Sequence, residues 1–290
     1  MGGWEMLGAV PPGELAAARL ELHWAAQAAA APGKLLLPSQ PDFGQQSFAW
    51  DGRARALAQG EVEAARPFRS ALVFDPPALA LLDGEGADLA RLPLSGHTLD
   101  EGYTWLERAV EALLGRALPG PLERPGELPA HPVSEDGCFS SGGPAFAELG
   151  RYYADLDSLL GDLAAATAGA SAVRCWPHHF DLATLISLDP GGGPAADAET
   201  ARSIGVGMTP GDAGRPAPYV YVTPWPYPAA IGRHELPPLP AGGTWNTEGW
   251  LGAVLEAAAL VSAGPGPAQR DAAASFVDAA VGFCRGWLGA

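Results

Sequence analysis

The hydrophobic positions of this chain change period several times, and each change marks an element. From Glu14 to about Ala30 apolar residues recur at helical spacing. Leu15, Ala18, Leu22, Ala26 and Ala29 form one stripe between Pro11-Pro12-Gly13 and Pro32-Gly33. Short apolar or alternating runs at 34–38, 45–51, 68–74, 79–82 and 89–94 predict strands. A helix is predicted over Leu99–Gly115, because Thr98 and Glu101 stand at capping-box spacing ahead of a stripe of Tyr103, Leu106, Val110 and Leu113. Residues 117–144 hold six prolines and no sustained period, which reads as a linker. Beyond it the pattern predicts a helix over Ala145–Ala168, one or two strands in Ala172–Leu188, and strands near Arg202–Met208 and Tyr219–Thr223. Two closing helices are expected near Glu248–Ser262 and Ala268–Leu288.

The order helix, several strands, helix occurs twice. LPLSGHTLDEGY from Leu92 also aligns with LPAGGTWNTEGW from Leu239, each ahead of an expected helix. The expected fold is therefore α+β, with internally duplicated helix–antiparallel strands–helix units and two related sheets packed with flanking helices. Residues 1–116 make the first half, 117–144 the linker, and 145–290 the second half, which carries the candidate site.

Composition narrows the partners. The 290 residues are 48% hydrophobic and carry a net charge of −16, so phosphate backbones repel the chain and no nucleic-acid partner is expected. Cys138, Cys175 and Cys284 are odd in number and far apart, fitting neither a disulfide framework nor a zinc pattern. The start, MGGWEMLGAV, lacks the cationic and apolar regions of a signal peptide, and no apolar run reaches membrane-helix length. A soluble, cytoplasmic protein is expected. Lys34 is the only lysine in the chain, which singles it out.

The chemistry concentrates in AVRCWPHHFDLATLISL, Ala172 to Leu188, where His178, His179 and Asp181 interrupt an apolar background. On a regular strand His179 and Asp181 share a face and His178 points the other way. A carboxylate there must pair, accept hydrogen bonds or hold a ligand. One use is acid–base catalysis, with His178 or His179 as the base oriented by Asp181. Another is a divalent metal on His179 and Asp181, with His234 or His23 as a third ligand. A hydrogen-bonded structural pair is the alternative. His23 and Gln27 lie four apart on one flank of the first helix, either lining a cavity or facing water. Tyr219 and Tyr221 share a strand face, and with Trp225 they supply aromatic walls for a small-molecule pocket or ordinary core packing. No nucleophile elbow, dinucleotide fingerprint, P-loop or HExxH pattern is present.

Together LELHWAAQAAAAPGK, RCWPHHFDLA, TPGD and PYVYVTPWPYP resemble a widespread bacterial family of uncharacterised proteins, over most of the chain. The resemblance implies His23, Gln27, Lys34, His178, Asp181, Asp212, Tyr219 and Tyr221 as signature positions, and implies no activity. The expectation is a polar-aromatic small-molecule pocket centred on the HHFD strand, serving an enzyme or a non-catalytic binding module; a structural or protein-interaction protein without an enclosed pocket is the alternative.

Overall fold

A computed structural model describes residues 4–126, 128–189, 201–227 and 236–289. The chain divides into two compact units. One comprises Leu15–Gly150 with Arg174–Phe180; the other comprises Met1–Glu14, Arg151–Val173 and Asp181–Ala290.

The first unit opens with helix α1, Ala16–Leu36, which runs six residues past its predicted end at Ala30. The extension takes up Lys34–Leu36 of the run expected as a strand. Pro32 sits inside the helix, where a missing N–H normally ends it. The buried amide of Gln59 bonds the backbone on either side of it, accepting from the Gly33 N–H at 2.9 Å and donating to the Ala30 carbonyl at 3.0 Å. Strands β1 (Ala49–Asp51), β2 (Ala56–Ala58), β3 (Arg69–Val73), β4 (Ala78–Leu82) and β5 (Asp88–Pro93) then form an antiparallel meander in chain order. All five residues of β4 are buried, as a central strand's unbroken apolar run requires. Helix α2, Leu99–Leu114, starts at the expected capping box between Thr98 and Glu101. It packs with α1 on β4, closing Tyr103, Leu106 and Val110 into the core. Helix α3, Pro144–Ala166, starts in this unit and from Arg151 belongs to the second; strand β6, Arg174–Trp176, is again part of the first and bridges through Cys175 to Phe48.

The second unit contains strands β7 (Asp181–Ser187), β8 (Ser203–Thr209), β9 (Tyr219–Trp225), β10 (Thr244–Asn246) and β11 (Gly252–Glu256). They lie antiparallel in the spatial order β10-β11-β9-β8-β7. Two helices follow, α4 (Ala257–Ser262) and α5 (Gly266–Leu288). One sheet face is apolar, with Leu182, Ile186, Ile204, Val206, Val220 and Val222 buried; α5 packs on this sheet with Phe276, Val277 and Ala280 buried. The other face carries the polar side chains described below.

Both units thus place an antiparallel sheet beside helices, an α+β fold consistent with duplicated helix–strands–helix units. The segment alignment that suggested the repeat fails, however. The stretch from Leu92 enters helix α2, whereas the one from Leu239 becomes β10 and β11. The helix expected over Glu248–Ser262 exists only as α4, because Gly252–Glu256 is taken into the sheet beside β9. A Cβ on Gly252 would stand 2.8 Å from the Val222 carbonyl oxygen, a closeness that belongs to a strand edge and not to a helix. Among the described residues no helix is long and apolar enough to cross a membrane.

Candidate functional site

In the first unit, His23 and Gln27 stand one helical turn apart on α1 and converge on a single acceptor. The His23 Nε2–H donates to the Pro177 carbonyl at 2.9 Å, and the Gln27 amide donates to the same oxygen. A carbonyl has two lone pairs and can serve both. The His23 ring also lies flat against Phe180, 5.3 Å between centroids and 8° from parallel, and Phe180 continues onto Phe74 at 6.2 Å. Burial drives the His23 imidazole down to about 4, so near neutral pH it is uncharged and a single-proton donor.

These contacts fix a turn where a strand was expected. Between β6 and β7 the Phe180 N–H bonds the Trp176 carbonyl at 2.6 Å and the His179 N–H reaches the same oxygen at 3.2 Å. Phe180 takes the left-handed conformation, φ +57°, with its ring buried. Pro177 has no N–H to give a ladder, and a left-handed residue ends the pleat. His178 and His179 are therefore exposed on the turn, their rings 4.2 Å apart, and do not alternate along a strand with Asp181. The expected i, i+2 pair on one pleated face does not form.

Asp181 instead finds a partner inside the second unit. It opens β7 and is half-buried. The Tyr221 hydroxyl on β9 donates to Asp181 Oδ2 at 2.5 Å, reaching across β8 to do so. The residue beneath is Gly207, directly opposite Tyr221 on one side and Ala183 on the other. A Cβ there would lie 2.5 Å from the Tyr221 hydroxyl oxygen, 2.6 Å from its Cζ and 2.7 Å from the Leu182 carbonyl oxygen. The second carboxylate oxygen, Asp181 Oδ1, is buried and has no hydrogen-bond partner among the described residues.

Tyr219 makes a second pair of the same kind. Its hydroxyl donates to Asp212 Oδ2 at 2.5 Å, while Asp212 Oδ1 accepts from the Gly214 and Arg215 amides at 2.6 and 2.7 Å. Burial alone would raise the Asp212 carboxyl, but the hydrogen bonds from Tyr219 and the two amides outweigh it and hold the group below its ordinary range. Burial and then Asp212 push the Tyr219 phenol well up. Arg215 caps the arrangement, donating to Glu256 at 3.0 Å and Asn246 at 2.9 Å, with its guanidinium 5.7 Å from the Tyr219 ring centre. The two tyrosine rings sit 6.4 Å apart.

The remaining candidates lie apart from these pairs. Lys34, in the last turn of α1, forms an ion pair with Glu123, about 16 Å along the helix from His23 at 1.5 Å per residue. Trp225 closes β9 as an exposed side chain packed edge-on against Tyr227 at 5.2 Å. Among the described residues no group of three His, Cys, Asp or Glu side chains is arranged to hold a metal ion, and His234 lies outside those residues. A cavity of about 650 Å³ lies between the Leu236–Leu239 run and β10, lined by Trp245 and Asn246 among others and by none of the expected site residues. Sequence reasoning missed Gly207, Arg215, Asn246 and Glu256. Only Gly207 left a signal, as one of two alternating glycines inside the strand run SIGVGMT. Comparison with protein-family models, with curated proteins and with solved structures finds no match for the chain.

Proposed function

We propose that the chain binds a small molecule that presents an O–H, N–H or cationic group to Asp181 beside the Tyr221 phenol. The observation that carries this reading is the Asp181 carboxylate, one oxygen held by Tyr221 and the other buried without a donor among the described residues. Leaving a buried acceptor unsatisfied costs about 1–3 kcal/mol, and more when it is charged. A donor brought to that oxygen removes the cost, and Asp181 is half-buried at the start of β7. Signature positions expected from the sequence fall at the same place: Asp181, Asp212, Tyr219 and Tyr221 are the four of them that meet as phenol–carboxylate pairs.

A second reading is favoured by the 2.5 Å separation between the Tyr221 hydroxyl and Asp181. A phenol and a carboxylate that close can pass a proton, so the pair suits acid–base chemistry on the bound molecule. A divalent metal ion is the other occupant a bare carboxylate oxygen accepts.

Thermal melts of wild type and Asp181→Asn with ethanolamine, erythritol, Mg²⁺ and Zn²⁺ test the proposal, alongside native mass spectrometry of the protein as purified. The expected result is a bound small molecule, or a rise in wild-type Tm with at least one probe, that Asp181→Asn abolishes. Equal responses in both proteins, or none in either, overturn it.

A further inference from the structure

We infer that Gly207 is a positioning residue for the proposed site: its missing side chain is what allows Tyr221 to lie across β8 and hold Asp181. This rests on the binding reading for its functional meaning, but its geometry stands without it. Tyr221 and Gly207 are directly paired in the β8–β9 ladder, and Gly207 is paired with Ala183, two residues beyond Asp181 on β7. The phenol therefore has to travel over position 207 to reach the carboxylate. Any Cβ there would stand within 2.5 Å of the hydroxyl oxygen and 2.6 Å of Cζ, far inside ordinary contact.

The neighbouring pair shows that the glycine is specific to this tyrosine. Tyr219 faces Thr209 in the same ladder and still bonds Asp212. Tyr219 reaches the loop that follows β8, so it needs no bare position; Tyr221 crosses the strand itself. A competing demand exists, because the same Cβ would also sit 2.7 Å from the Leu182 carbonyl oxygen of β7. If that contact were the reason for glycine, the residue would serve strand spacing and not the site.

Proton NMR of the unliganded protein separates these. Short phenol–carboxylate hydrogen bonds give hydroxyl protons far downfield, so wild type should show two, from Tyr219 and Tyr221, assigned by their loss in Tyr219→Phe and Tyr221→Phe. In Gly207→Ala the Tyr221 signal should vanish while the Tyr219 signal stays, reporting an intact sheet. Retention of the Tyr221 signal overturns the inference. Should both signals vanish, Gly207→Ala combined with Tyr221→Ser decides. Return of the Tyr219 signal assigns the disruption to the crowded ring and supports the inference; continued loss assigns it to the Leu182 carbonyl and overturns it. The signals need no ligand, so a protein in which every probe fails to bind at Asp181 can still show Gly207 positioning Tyr221.

Discussion

Tyr221 reaches Asp181 over the full width of strand β8, and the hydroxyl arrives 2.5 Å from the carboxylate. Removing that hydroxyl leaves Asp181 with both oxygens undonated. Tyr221→Phe is expected to lower stability by about 2 kcal/mol, the range for a hydrogen bond to a charged group, read from urea melts. A change below a few tenths would mean that water replaces the phenol at no cost.

His23 gives the chain a defined acid sensitivity. Its imidazole is neutral in the fold, driven from 6.5 to about 4 by burial, so the unfolded chain binds the extra proton first. Its contribution is fully present above pH 6.5 and is lost as pH falls toward 4, amounting to about 3 kcal/mol over that window. Comparing urea melts of wild type and His23→Gln at pH 7 and pH 4 isolates this from the carboxylates, which titrate in both. Wild type should lose about 3 kcal/mol more than the variant; parallel losses would show that His23 titrates normally.

Phe180 sets two effects against each other. Its left-handed backbone, φ +57°, favours glycine by about 1 kcal/mol, while its fully buried ring stacks on His23 and Phe74. Deleting a buried aromatic costs about 3–5 kcal/mol, so packing wins and Phe180→Gly should destabilise by roughly 3 kcal/mol on balance. A neutral or stabilised variant in denaturant melts would mean that backbone strain dominates the turn.

Gln59 holds the proline-containing end of α1 through the Gly33 amide and the Ala30 carbonyl. Gln59→Leu keeps a comparable buried volume but removes both of these buried bonds, a loss of about 2 kcal/mol. Hydrogen exchange should localise the damage, with faster exchange of the Gly33 amide. Unchanged protection there would refute the bracing role.

Local pattern alone determined a large part of this molecule. The stripe of α2 and its capping box, the β3 and β4 runs, and the long α3 and α5 are each specified by residues within a few turns or strands of one another. The same holds for the shared flank of His23 and Gln27 and the shared face of Tyr219 and Tyr221, since periods of 3.6 and 2 fix them without any partner. Tertiary structure decided the rest. Gly252–Glu256 is apolar enough for either helix or strand, and the open edge of β9 made it a strand. Pro32 sits inside α1 where Gln59, distant in sequence, bonds the backbone on either side of it. WPHHFD became a turn because Pro177 and a buried left-handed Phe180 met α1 and Phe74 there. Asp181 paired with Tyr221 across a glycine, forty residues on, and not with the histidine two residues before it. A carboxylate's partner depends on which strands lie side by side, and strand neighbours are set by packing across the whole sheet, which no short window of sequence contains.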